Sequence, residues 1–260
     1  VQLCAGPDKA ANLAAAERLA RRAAERGATL IVLPEVFSWR GMHADELRAA
    51  EPIPGPTTER LAALAAELRV HLVGGSLLEE VAGESRVYNT SPVFAPDGAL
   101  LATYRKMHLF DVAIPDQVVV RESATRQPGA RAVTVSTPLA TLGLSICYDL
   151  RFPELYRRLS AAGADVICIP AAFTFPTGAA HWEVLVRARA IENQAYVVAP
   201  NQIGRSASGI QDFGHSLIVD PWGTPIARAA NQEGVIAAEI DLEYLARVRR
   251  ELPCLDHRRV

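Results

Sequence analysis

Three side chains in this sequence have the type and surroundings to do chemistry: Glu35, Lys106 and Cys147. Cys147 is the sharpest of them. It ends an apolar run over residues 142–146 and precedes Tyr148-Asp149-Leu150-Arg151-Phe152-Pro153-Glu154, a more polar stretch that leads into a helix. A cysteine at such a strand-to-helix turn faces a pocket and lies near a helix N-terminus, where the dipole and a neighbouring ammonium both favour a thiolate. The Tyr148 N–H is then placed to help bind an oxyanion. A packed, inert thiol is the plain alternative, and the polar residues that follow weigh against it.

Glu35 stands at the end of the apolar strand that closes on Leu33-Pro34. Partial burial there raises a glutamate toward the range useful for proton transfer; a solvated acid at a strand end is the competing reading. Lys106 follows a hairpin strand in YRKMHLF and is either an ordinary surface charge or a fixed ammonium that stabilises charge developing on a carbonyl oxygen. Nothing local separates those two. Asp149 and Arg151 read as a salt bridge bracing the turn beside Cys147.

The elements that must position these groups follow from periodicity. Leu13, Ala16, Leu19, Ala20 and Ala23 mark one face of a helix over 9–26, ended by Gly27 before a buried strand at 28–33. A helix at 58–69 leads to a strand at 70–78, and strands at 86–95 and 99–105 flank a Pro96-Asp97-Gly98 turn. After a polar loop the pattern recurs: strand 142–147, helix 153–162, strand 164–170, helix 181–194, strand 196–199, a hairpin turning at Pro221-Trp222-Gly223, strand 235–240 and helix 242–250. SPVFAPDGALLA and HSLIVDPWGTPIA look loosely alike, so the expectation is an internal pseudo-twofold with two sheets face to face and helices outside. No linker divides the chain, and one domain over residues 1–260 is expected.

Composition narrows the function classes. Half of the residues are hydrophobic, the charged fraction is 22% and the net charge is −2, so no broad field invites nucleic acid or an anionic membrane. No apolar stretch approaches the ~20 residues that span a bilayer, and the N-terminus lacks the succession of a signal peptide. Cys4, Cys147, Cys168 and Cys254 show no C-x-x-C or zinc spacing, which suits a reduced, cytoplasmic setting. With no H-x-x-x-H pair and no Gly-rich phosphate loop, neither a metal nor a nucleotide cofactor is expected.

Glu35 in LPE, Lys106 in YRKMHLFD and Cys147 in CYDLRFPE resemble, in order, the three signature segments of the nitrilase (carbon–nitrogen hydrolase) superfamily. The likeness continues through HWEVLVRARAIENQ and GHSLIVDPWG and so covers essentially the whole chain. It implies an α/β protein built as a four-layer αββα sandwich with two mixed sheets, assembled as a homodimer or higher homo-oligomer and needing no cofactor. The same resemblance implies that Glu35 is a general base, Lys106 an oxyanion partner and Cys147 the nucleophile. It also gives a site role to Glu122, which by itself reads as an exposed loop acid. Tyr148, Phe173 and Thr174, with Thr177 in the loop after the strand ADVICIP, are the candidate substrate contacts.

Within the superfamily the chain is most similar to the deaminated-glutathione amidase branch. That branch implies hydrolysis of the ketoamide to 2-oxoglutarate and cysteinylglycine. The ω-amidases acting on 2-oxoglutaramate or succinamate share much of the pattern, and N-carbamoyl amino acids are a further alternative. Nitriles rank below amides on the flanking segments. These amide substrates carry carboxylates, so a cationic pocket group is expected, with no single arginine indicated. A non-catalytic binding protein on the same fold would be favoured by loss of one of the three groups, and all three are present. A metal-dependent amidohydrolase is disfavoured by the lack of a histidine cluster.

Overall fold

The computed structural model describes residues 1–116 and 118–259. Its first half runs α1 (Lys9–Glu25), β1 (Leu30–Val32), α2 (Glu46–Ala49), α3 (Pro56–Leu68), β2 (His71–Val73), β3 (Leu77–Glu79), β4 (Tyr88–Phe94) and β5 (Leu100–Arg105). A separate hairpin, β6 (Asp111–Ile114) and β7 (Val118–Arg121), follows. The second half runs β8 (Val133–Ser136), β9 (Thr141–Leu144), α4 (Pro153–Ala161), β10 (Val166–Cys168), α5 (Phe175–Asn193) and β11 (Tyr196–Ala199). It ends with β12 (Ile203–Arg205), β13 (Gln211–Phe213), β14 (Leu217–Val219), β15 (Pro225–Arg228) and α6 (Leu242–Glu251).

Successive side chains on a strand face opposite ways, and this alternation sorts the apolar residues of the first sheet into two cores. Ile31, Leu33, Leu72 and Phe94 pack with Leu13, Leu19, Leu61 and Leu64 of α1 and α3. Their neighbours Val32, Val73 and Val93 join Leu142, Leu144, Val166 and Val197 of the second sheet, which continues into Leu155, Trp182 and Val186 of α4 and α5. The order of layers is therefore helix, sheet, sheet, helix. Both sheets are mixed, as expected.

The pseudo-twofold is visible in the pairing. In the first sheet β1 lies parallel to β2, β2 antiparallel to β4, and β4 antiparallel to β5. In the second, β10 lies parallel to β11, β11 antiparallel to β14, and β14 antiparallel to β15. The two look-alike segments form the β4–β5 and β14–β15 hairpins, in matching positions.

Several expectations need correction. The strand expected at 70–78 is broken between β2 and β3, where Gly75 has φ of +58°. A Cβ there would stand 2.1 Å from the Pro34 carbonyl oxygen, so a glycine lets this backbone pass the residue before Glu35. The helix expected at 181–194 starts at Phe175, because Pro176 is accommodated in its first turn, where a missing N–H does no harm. Thr177 consequently lies in a helix and not in a loop. Residues 235–240 join no ladder; the nearby bridge is the single pair Gln2–Gly234. The β6–β7 hairpin lay unrecognised in the polar loop. Among the described residues, no helix is long and apolar enough to cross a membrane.

Candidate active site

Glu35, Lys106, Cys147 and Glu122 come from four separate segments and line one cleft. Glu35 leaves the end of β1 and is buried, with its side chain only 3% exposed. Oε1 accepts hydrogen bonds from Asn89 Nδ2 at 2.8 Å and Lys106 Nζ at 2.9 Å. Oε2 accepts from the Ala172 N–H at 2.9 Å. Three donors thus hold the carboxylate in one orientation. The loop around it is fixed by Ser76 Oγ, which accepts from the Val36 N–H, and by Gln202 Nε2, which donates to the Glu35 carbonyl.

Lys106 is no surface charge: its side chain is 1% exposed. Besides Glu35, Nζ donates to both oxygens of Glu122, at 3.1 and 3.0 Å. Burial alone would lower the lysine pKa, but Glu122 and Glu35 more than reverse that and hold it well above its ordinary value. The group is therefore an ammonium throughout the neutral range.

Glu122, read from sequence as an exposed acid unless the resemblance held, is buried at the end of β7. It accepts from the Phe110 N–H at 2.8 Å and from Arg126 Nη1 at 2.7 Å. Arg126 also grips Glu46 through Nε at 3.0 Å and Nη2 at 2.6 Å. Thr125 Oγ1 and His43 Nδ1 complete the Glu46 shell. For Glu46, burial pushes the pKa up, yet Arg126, His43 and Thr125 together hold it far below the usual carboxylate range. The result is a buried line of alternating charge, Glu35–Lys106–Glu122–Arg126–Glu46, in which removing one member strands its neighbours. Arg126 and Glu46 carried no signal in sequence. Their pairing spans 80 positions and rests on how α2 packs against the turn after β7.

Cys147 does not continue the strand. β9 ends at Leu144, and Cys147 opens a tight 3-10 turn to Arg151 with φ of +46°, a conformation that costs a non-glycine residue energy and is found where a side chain must be aimed. Its N–H is anchored on the Pro170 carbonyl at 2.9 Å. The turn is braced by Asp149, which accepts from Tyr104 Oη at 2.7 Å, the Ile146 N–H at 2.8 Å and the His108 N–H at 3.0 Å. Arg151 is not its partner, contrary to the sequence reading; it reaches His181 instead. The other expectation to fall is the thiolate. Burial, then the adjacent Glu35 charge, push the Cys147 pKa well above the ordinary thiol value despite Lys106. The environment of Cys147 thus favours the thiol over the thiolate.

Tyr148, Phe173, Thr174 and Thr177 all line the same cleft. Phe173 is held by its N–H to Asn201 Oδ1 at 2.9 Å, and Thr174, at the N-cap position of α5, has its hydroxyl 2.8 Å from that of Thr177. Among the described residues, no group of three or more His, Cys, Asp or Glu side chains is placed to hold a metal ion.

Residues 1–250 match the family described as carbon-nitrogen hydrolase. The chain belongs to that family. This carbon–nitrogen hydrolase is 44% identical over 259 residues to omega-amidase NIT2 of Xenopus tropicalis, covering all of this chain and 93% of that protein. It is also 44% identical over 261 residues to the deaminated glutathione amidase of Synechocystis sp. (strain PCC 6803 / GT-S), covering 99% of this chain and 96% of that one. Among solved structures, the C. elegans NitFhit protein superposes with a TM-score of 0.93 at 39% identity, over 99% of this chain and 63% of that longer one. The αββα fold is thus the nitrilase fold, and the hydrolase is an enzyme of amide-cleaving kin.

Proposed function

We propose that this hydrolase cleaves the amide of a small ω-amide through a thioester on Cys147. The observation that carries the proposal is the convergence of one thiol, one triply held carboxylate and one buried ammonium on a single cleft. As Sγ attacks the amide carbon, the thiol proton passes to Glu35. Lys106 Nζ and the Tyr148 N–H receive the oxyanion. Glu35 returns the proton to the amide nitrogen, the C–N bond breaks, and the amine leaves. Water then enters; Glu35 takes one of its protons as the oxygen attacks the thioester carbon. Collapse releases the acid, and the proton goes back to the sulfur. Glu122 keeps Lys106 aimed, drawing it with both oxygens.

The leading substrate is deaminated glutathione, giving 2-oxoglutarate and cysteinylglycine; 2-oxoglutaramate and succinamate are the alternatives, since relatives named for both activities are equally similar. In this reading the enzyme is a single domain that works in the cytoplasm as a homodimer or higher homo-oligomer. A panel of deaminated glutathione, 2-oxoglutaramate, a carbamoyl amino acid and a simple nitrile, ranked by kcat/KM, tests this. The first is expected to lead. A leading nitrile or carbamoyl compound would overturn the substrate class.

A further inference from the structure

A substrate that carries a carboxylate besides its amide needs a cation to receive it. Among the described residues that line the cleft, the basic groups are Lys106, Arg126, Arg40 and His43. Lys106 is engaged by Glu35 and both oxygens of Glu122, and Arg126 is engaged by Glu122 and both oxygens of Glu46. His43 Nδ1 lies 2.8 Å from Glu46 Oε1 and its Nε2 is buried without a partner among the described residues, but an imidazole offers one N–H there and no fork. Arg40 differs. Its one side-chain hydrogen bond among the described residues runs from Nη1 to Asp212 Oδ2 at 2.6 Å. Its Nε and Nη2 make no hydrogen bond among the described residues, and the side chain, 11% exposed, lines the cleft. A guanidinium tied at one nitrogen keeps an edge of parallel N–H donors that matches the two oxygens of a carboxylate.

The position of Arg40 is fixed from both ends. Its backbone N–H donates to the Gly6 carbonyl at 2.8 Å, and Asp212 is itself 3% exposed on β13. β13 is pinned to the cleft wall: the Phe213 N–H donates to the Phe173 carbonyl at 2.8 Å, and Thr174 bridges Asp212. Ser206 and Ser208, on the turn between β12 and β13, line the cleft as well, their hydroxyls 2.9 Å apart. Among the described residues, neither the side chains of the β12–β13 hairpin nor Arg40 hydrogen-bond to Glu35, Lys106 or Glu122, so this polar part of the cleft lining stands apart from those groups.

We propose that Arg40, oriented by Asp212, is the specificity residue that receives the substrate's carboxylate. This rests on the reading of the substrate as a carboxylate-bearing ω-amide. Succinamate and butyramide make the test, because they differ chiefly in a carboxylate replaced by a methyl group. Wild-type enzyme is expected to favour succinamate. In Arg40→Met the ratio of kcat/KM for succinamate over butyramide is expected to fall about 10-fold to 100-fold, the loss lying mainly in KM for succinamate. Arg40→Lys is expected to recover part of that ratio, since it keeps the charge and loses the fork. The double variant Arg40→Met/Asp212→Asn leaves no unpaired acid behind and is expected to show the same fall.

A ratio within about 2-fold of wild type in the folded double variant would overturn the role of Arg40. Equal losses on both amides would do so too, showing a merely structural part. The wild-type enzyme alone decides the underlying reading: a kcat/KM for butyramide equal to or above that for succinamate would overturn the carboxylate-bearing substrate class and Arg40 with it.

Discussion

At the end of β1 the chain runs Leu33-Pro34-Glu35, and at the end of β10 it runs Ile169-Pro170-Ala171. The matching is local as well as topological. The Leu33 N–H bonds to Val73 across to β2, and the Ile169 N–H bonds to Val198 across to β11. The correspondence extends to the strand on the other side. The Val1 amine donates to the Val32 carbonyl as the Ser145 N–H donates to the Cys168 carbonyl, so Leu3 occupies the place that Cys147 holds in the second half. One half thus presents Glu35 beside a core leucine; the other presents Cys147 beside an alanine. The Glu35 N–H meets the Ala171 carbonyl at 3.4 Å, where the two strand ends come together.

The difference separates frame from chemistry. The duplicated strand–helix units bring two strand ends to one cleft, and each half contributes what the other lacks. Lys106 and Glu122 come from segments after the first hairpin, where β6 and β7 have no counterpart in the second half.

The widest break in the comparison should come from exchanging the two matched positions for alanine. Cys147→Ala is expected to lower kcat by about 10⁴-fold or more with the melting temperature little changed. Leu3→Ala is expected to do the reverse, destabilising the fold by about 2–5 kcal/mol while kcat per folded molecule stays within about 3-fold. Enzyme assays and thermal melts on both variants check this, and a Cys147→Ala enzyme with normal turnover would end the account.

Arg126→Met sharpens the contrast by attacking a network found on one side only. It strands Glu122 and Glu46, so a loss of about 3–5 kcal/mol is expected, with kcat down about 10-fold to 100-fold as Lys106 loses its aim. The sign with pH follows from the folded carboxylates, which are held low for Glu46 and for Glu122. Their contribution is full above the unfolded value of about 4.3 and is lost as pH falls below it. The gap in melting temperature between wild type and variant should therefore narrow as pH drops from neutral to below about 4. A constant gap would mean the carboxylates are not stabilised by Arg126.

The smallest effect concerns the cleft wall. A Cβ on Gly178 would meet Phe213 Cβ at 2.4 Å, so Gly178→Ala must push β13 from α5. KM is expected to rise about 3-fold to 10-fold with kcat nearly held, because β13 carries Asp212 and not the reacting groups. A loss confined to kcat would contradict that placement.

Glu35, Lys106 and Cys147 could be picked out because their flanking segments resemble, in order, the three signature segments of the superfamily; their places at the ends of β1, β5 and β9 left each with an ordinary reading beside the chemical one. The pseudo-twofold was legible from two hairpins with similar turns. What stayed hidden depends on contacts between distant segments. Nothing near Arg126 or Glu46 announces an ion pair across 80 positions, and nothing around Arg40 announces Asp212, 172 positions away. The thiolate expected for Cys147 gives way for the same reason: the helix and ammonium are visible locally, whereas burial and the charge of Glu35, which push the thiol up, come from the fold.

The central claim is that the acyl group passes through Cys147 and through no other thiol. Acid-quenching the enzyme during turnover of succinamate, then locating the adduct by peptide mass spectrometry, tests it most directly. The account predicts a hydroxylamine-labile gain of about 100 Da, a succinyl thioester, on the peptide holding Cys147. An adduct on Cys4, Cys168 or Cys254, or turnover in Glu35→Gln at the wild-type rate with no adduct at any time, would contradict it.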